Sequence, residues 1–409
     1  MKTLLTDKEL TRRLEHIPPY SSGIRILDKG ERLSALNEIY GIYIPTFMAC
    51  EIYTKLYLAT LSAMEKKGGE MYVKQCNETY RKGKGIIGGA DSLSITGASG
   101  IGKSSAVQAA MDIITEDTVQ YDENDDGLWD FIPILQVQTP FDCSAKGLLI
   151  EVCRLVDEKL HTGYLKSATR TGTNTDTLIG LVSQVCLNHI GTLVIDEIQN
   201  VKGHKKGESL ISLLTQLVNS SGISIVFVGT NDVIPFFEKK MQLARRSTGL
   251  HYKPLEYGTE FKRICEVLLS YIYTKDTEEI TEEWIRWLFE HSGGVVAVVI
   301  SLIHDAQEIA ILSDDRFSMK SLNKVYKDRL YPMHKHIELN TDAPITEKKN
   351  SLNSSKESID SFRKSPQNPK KTSARRTSTL QSLLERAKKE DLDMFTLLKA
   401  NYTVEEIKL

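Results

Sequence analysis

Ser92–Ala106 reads SLSITGASGIGKSSA. A short β-rich run leads into G-x-x-x-x-G-K-S, with Gly97, Gly102, Lys103 and Ser104 in register, and the residues that follow are helix-compatible. Strand, glycine loop and helix start in that order make a phosphate cradle. The glycines let backbone N–H groups turn inward, and the helix N-terminus favours an anion. In this pattern Lys103 meets the β- and γ-phosphates and Ser104 offers a hydroxyl to Mg²⁺, so ATP with Mg²⁺ is the expected ligand pair. The binding residues expected from the loop are Gly97, Gly100, Gly102, Lys103, Ser104 and Ser105.

Downstream, strand-like and helix-like stretches alternate. Phe131–Gln138 (FIPILQVQ) reads as a strand, Ser144–Leu160 as an amphipathic helix and Leu178–Leu187 as another helix. The next strand, TLVIDE, delivers Asp196 and Glu197 at its carboxyl edge. Parallel strands covered on both faces read as continuous apolar runs, and ligands gather at their carboxyl ends. Asp196 is therefore expected to hold Mg²⁺, and Glu197 to polarise the attacking water as general base. ISIVFVGTND (Ile223–Asp232) is the following strand, with Thr230 as a candidate γ-phosphate sensor; Asn231 and Asp232 read equally well as helix caps. Beyond it, FFEKKMQLARRSTGL carries Arg245 and Arg246, which could serve a neighbouring subunit's nucleotide in trans.

A chain of 409 residues with a hydrophobic fraction of 41% has room for more than one compact unit. A net charge of −2 announces no nucleic-acid partner, so any such contact must come from local basic patches. The six cysteines lie dispersed without C-x-x-C spacing, which points to a reducing, cytoplasmic setting. No apolar run is long enough to span a membrane. Residues 1 to about 45 read as a short helix followed by an extended arm, and Pro45–Lys67 as a core helix. Gly83–Gly89 and the acidic YDENDDG (Tyr121–Gly127) read as loops.

After residue 258 strands stop and four helical patterns follow: 261–273, 282–291, 295–312 and 319–329. The expected organisation is an N-terminal arm and helical extension (1–80), an α/β nucleotide-binding core with a parallel sheet (81–257) and a small helical lid (258–335). A disordered basic linker (336–379) and a partner-docking tail helix (380–409) complete it.

With GASGIGKSS and TLVIDEIQN in place, VQTPFDCSAKGLLIEVCRLVDEKL and GTNDVIPFFEKKMQLARRSTG extend the match. The chain resembles the TnsC/TniB family of transposon AAA+ ATPases, regulators of Tn-seven-like elements, from about Pro18 to Pro332. The resemblance implies a P-loop AAA+ fold. It also implies ATP-bound subunits that assemble as a ring or helical filament on duplex DNA, recruit transposase and receive a TniQ/TnsD-type targeting protein. By motif, Lys103 and Ser104 become Walker A, Asp196 and Glu197 Walker B, Thr230 sensor one, and Arg245 or Arg246 the trans finger. Where many AAA+ relatives carry a sensor-two arginine this chain has SGGVVAVVI, with Val296 and Ala297 at the position. Lys146, Lys166, Arg170, Lys202, Lys205 and Lys206 form a candidate track for the DNA backbone. Two other readings stay open: a helicase-loader or initiator-type ATPase, and a nucleotide-switched scaffold that binds no DNA.

Overall fold

In the computed structural model, residues 3–68, 92–119, 131–201, 207–221, 223–234 and 247–330 are described. The loop expected at Gly83–Gly89, the acidic stretch Tyr121–Gly127, Lys202, Lys205, Lys206, Arg245, Arg246, the linker and the tail helix lie outside them.

Five strands, β1 (Ser92–Gly97), β2 (Ile132–Gln138), β3 (Ile190–Asp196), β4 (Ser224–Gly229) and β5 (Ser247–Tyr252), form one parallel sheet in the order β2-β3-β4-β1-β5. The strands alternate their faces with period two. Ile95, Val194, Val226 and Val228 pack towards helices α3 (Phe47–Gly68) and α4 (Lys103–Val119), meeting Ile52, Leu56, Val107 and Ile114. Leu193, Ile195, Ile225 and Phe227 face the other way, against α5 (Ala145–Leu160), α7 (Thr175–His189) and α8 (Gly207–Ser221), with the short α6 (Tyr164–Ala168) between α5 and α7. Both faces are covered, which is why β3 and β4 are apolar almost throughout.

From β1 the chain jumps three places to β2, and β3 and β4 then fill the two positions between. The passage to β5 crosses β1 to its far side. Connections leaving in opposite directions open a crevice at the carboxyl ends of the strands. The loops after β1, β3 and β4 converge there.

Helices α9 (Thr259–Ser270), α10 (Glu282–Ser292), α11 (Val296–Leu312) and α12 (Met319–Asp328) surround a core of their own that includes Phe261, Leu288, Leu302 and Phe317. Strand structure does not stop at residue 258 as the sequence suggested: β6 (Asp276–Thr277) and β7 (Arg316–Phe317) pair in parallel between these helices. Among the described residues no single helix is long and apolar enough to cross a membrane.

The first forty-odd residues also differ from expectation. The short helix is there as α1 (Asp7–Leu14), but the supposed extended arm holds a second helix, α2 (Lys29–Leu36). Asp28 and Glu31 form a capping box on it, each side chain accepting from the other's backbone N–H. Leu10 and Leu14 pack on the sheet side, whereas Leu36, Ile39, Ile42 and Ile44 belong to the core of the C-terminal helices. The arm therefore ties the two cores together.

Candidate nucleotide site

The loop Ala98–Gly102 leaves β1 and enters α4 at Lys103. Gly100 and Gly102 hold φ of +79° and +97°, a left-handed backbone that glycine adopts without Cβ strain. The Lys103 side chain is 8% exposed, and its ammonium donates to the carbonyls of Gly97 (3.0 Å) and Ala98 (2.7 Å). Burial pushes that ammonium below the ordinary lysine range, against the pull of the Asp196 and Glu197 carboxylates. Ser104 and Ser105 are exposed on the first turn of α4.

Asp196 ends β3 and is 5% exposed. One of its oxygens accepts from Gln136 Nε2 (3.1 Å) and the other from the backbone N–H of Glu197 (2.8 Å). The Asp196 carbonyl accepts from both the N–H and the hydroxyl of Thr139, each at 2.9 Å, which locks the carboxyl ends of β2 and β3 together. Glu197 turns the chain with φ +55° and is exposed. Thr230 follows β4, and its hydroxyl is buried without a hydrogen-bond partner among the described residues. Asn231 opens a 3-10 turn (Asn231–Val233), so the strand stops earlier than expected; Asn231 and Asp232 lie within the turn, and the residue at its N-cap position is Thr230, whose side chain makes no capping hydrogen bond.

These groups line a single cleft of about 970 Å³, which also takes in Arg13, His16 and Tyr43 of the arm and Leu268, Ala297 and Ile300 of the C-terminal helices. At its edge the arm closes on itself, with His16 and Tyr43 exchanging backbone hydrogen bonds of 2.9 and 2.7 Å. The lid side reaches the phosphate loop directly, since the Ala297 N–H donates to the Gly100 carbonyl at 3.0 Å. Val296 and Ala297, where an arginine was looked for, supply apolar surface.

The volume matches a cofactor-sized pocket, and the donors match the triphosphate of ATP. A buried orphan hydroxyl, a buried ammonium held on carbonyls and a glycine loop opening a helix all offer donors to an anion. A serine hydroxyl and a carboxylate are hard oxygen ligands suited to Mg²⁺. The structure thus brings Gly100, Gly102, Lys103, Ser104, Ser105, Asp196, Glu197 and Thr230 to one cleft; Gly97 does not line it and joins the group through its carbonyl, which accepts from the Lys103 ammonium. Lys146, Lys166 and Arg170 are exposed and absent from the cleft. The arm's contribution (Arg13, His16, Tyr43) was not anticipated, because it depends on contacts far apart in sequence.

Residues 86–237 match the family model described as an AAA domain. The fold is that of an AAA+ P-loop ATPase. No curated protein matches this chain. Among solved structures, the AAA+ fold here is similar to Drosophila ORC bound to DNA, at 9% identity over 99% of this chain and 85% of that chain, TM-score 0.49. It is also similar to the Aeropyrum pernix ORC1 protein in complex with DNA, at 13% identity over 83% and 79% of the two chains, TM-score 0.44. For the Aeropyrum pernix ORC2 protein in its ADPNP–ADP complexes the identity is 13% over 81% and 77%, with a TM-score of 0.42.

Proposed function

We propose that this chain is an ATP-gated, DNA-binding regulator of transposition. It would assemble on duplex DNA when ATP is bound, connect a targeting protein of the TniQ/TnsD type to transposase, and reset on hydrolysis. The observation that carries the nucleotide part is the convergence of Lys103, Asp196, Glu197 and the unpartnered Thr230 hydroxyl on one cleft. The transposition part is supported by the sequence resemblance around GTNDVIPFFEKKMQLARRSTG.

In this reading the Lys103 ammonium exchanges its two backbone carbonyls for β- and γ-phosphate oxygens, and the loop N–H groups hold the rest of the triphosphate. Ser104 and Asp196 would hold Mg²⁺, which when bound would supply neutralisation of the negative charge on the phosphate oxygens. Glu197 takes the proton of the attacking water, and the Thr230 hydroxyl donates to the γ-phosphate. Arg245 or Arg246 acts on the neighbouring subunit's nucleotide. Lacking a sensor-two arginine, the lid reads nucleotide state through the seat of Ala297 on Gly100.

Imaging of the full chain on duplex DNA tests this, with a slowly hydrolysed ATP analogue in one arm and ADP in the other. Assemblies on DNA in the first arm are expected, and monomers in both arms overturn the proposal. A pull-down against transposase subunits and against a hexameric helicase then separates the transposition reading from a helicase loader or initiator. Assembly that ignores DNA favours a scaffold.

A further inference from the structure

Just beyond Glu197 the 3-10 turn Ile198–Val201 swings the chain back towards the end of β4. Gln199 on this turn spans two functional groups. Its Nε2 donates to Glu197 Oε2, and its Oε1 accepts the backbone N–H of Thr230 at 3.2 Å. The orientation of the amide is dictated by its partners, because a carboxylate only accepts and a peptide N–H only donates. A primary amide satisfies both at once. Alanine satisfies neither, and a carboxylate in its place satisfies Thr230 while opposing Glu197.

Space has been kept for this bridge. A Cβ on Gly229, the last residue of β4, would lie 2.7 Å from Gln199 Oε1 and 2.8 Å from Ile198 Cγ2. The strand that carries Thr230 therefore ends in a residue that admits the amide. Gln199 is half-buried on the wall of the cleft.

We infer that Gln199 is a positioning residue for hydrolysis: it aims the Glu197 carboxylate and couples that aim to the backbone of Thr230. This inference rests on the nucleotide reading above and extends it to a residue outside the expected motifs. One oxygen of Glu197 is held by the amide, which leaves the other for the attacking water. Any shift of the Thr230 backbone on γ-phosphate binding or loss passes through one side chain to the base. The bridge acts on turnover and leaves the phosphate cradle untouched, since Gln199 has no contact with the Gly97–Ser105 loop among its hydrogen bonds.

The test uses full-length wild-type protein, Gln199→Ala and Gln199→Glu, with binding of a fluorescent ATP analogue measured apart from steady-state hydrolysis across pH. For Gln199→Ala the expected result is kcat lowered by about ten- to a hundredfold, the scale of a misplaced catalytic group, with analogue affinity within about threefold of wild type. For Gln199→Glu, two carboxylates within hydrogen-bond reach resist joint ionisation. Its turnover should therefore climb with pH more steeply than that of wild type. Wild-type kcat and an unchanged pH profile in both variants overturn the inference alone. Wild-type protein that binds no analogue overturns the nucleotide reading and the inference with it.

Discussion

Thr230 carries a buried hydroxyl with no hydrogen-bond partner among the described residues. An orphaned buried polar group costs about 1–3 kcal/mol, so its retention at the mouth of the cleft is best explained by a ligand. Valine has nearly the same shape without the hydroxyl. Thr230→Val should raise the stability of the nucleotide-free protein by about 1 kcal/mol, read from the urea midpoint, while lowering ATP turnover about a hundredfold. A variant less stable and equally active would remove Thr230 from the site. Lys103 and Glu197 separate binding from chemistry. Lys103→Ala should abolish binding of a fluorescent ATP analogue, because the buried ammonium is the cradle's main positive charge. Glu197→Gln should keep ATP and DNA bound and slow hydrolysis by about two to four orders of magnitude. Normal hydrolysis by Glu197→Gln would show that another group activates the water.

Helix α2 is anchored by one buried cation. Arg32 is fully buried; its guanidinium donates to both oxygens of Asp315 at 2.6 and 2.8 Å and to the carbonyls of Tyr273 and Leu27. Breaking such a pair from one side leaves a charge without its partner and costs about 3 kcal/mol. Arg32→Met, which keeps much of the volume, should lower unfolding free energy by that amount. The Arg32 hydrogen bonds, helped by the Lys275 N–H and opposed by partial burial, hold the Asp315 carboxyl below the usual carboxylate range. Stability from a depressed acid is complete above its unfolded value, about 3.9, and is lost as pH falls through the folded value. The gap between wild type and Arg32→Met should therefore be constant near neutrality and shrink in acid below about pH 4. A gap independent of acid would mean that packing, and not the ion pair, anchors the helix. Legibility in the sequence followed the same division between local and distant causes. Strands β1 to β4 and the three motif loops were readable, because buried parallel strands are continuous apolar runs and the phosphate loop is a local pattern. Strand β5, STGLHY, has no such run and is strand-like through its pairing with β1. The Asp28/Glu31 capping box of α2 was visible in the sequence and marks a helix that an apolar-period reading passes over. Gln199 had no signal of its own, since its meaning depends on the return of β4 beside the turn.

Across the molecule, one cleft draws its walls from the sheet, the arm and the C-terminal helices. The DNA contact proposed for this chain would lie elsewhere, on surfaces that the overall charge of −2 does not reveal. Lys146, Lys166 and Arg170 are exposed, and the Lys146 ammonium donates to the Thr173 carbonyl, 3.1 Å away, which ties the loop after α6 to the start of α5. If each meets a phosphate, each releases counterions, and log K against log salt loses about 0.9 from its slope per contact. Replacing all three by glutamine should then weaken duplex binding similarly across sequences and flatten the slope by about 2.7 in salt titrations of ATP-bound protein. Nucleotide affinity, set within the cleft, should not change. A slope equal to that of wild type would place the phosphate track on other basic residues, with Lys202, Lys205 and Lys206 the next to be replaced.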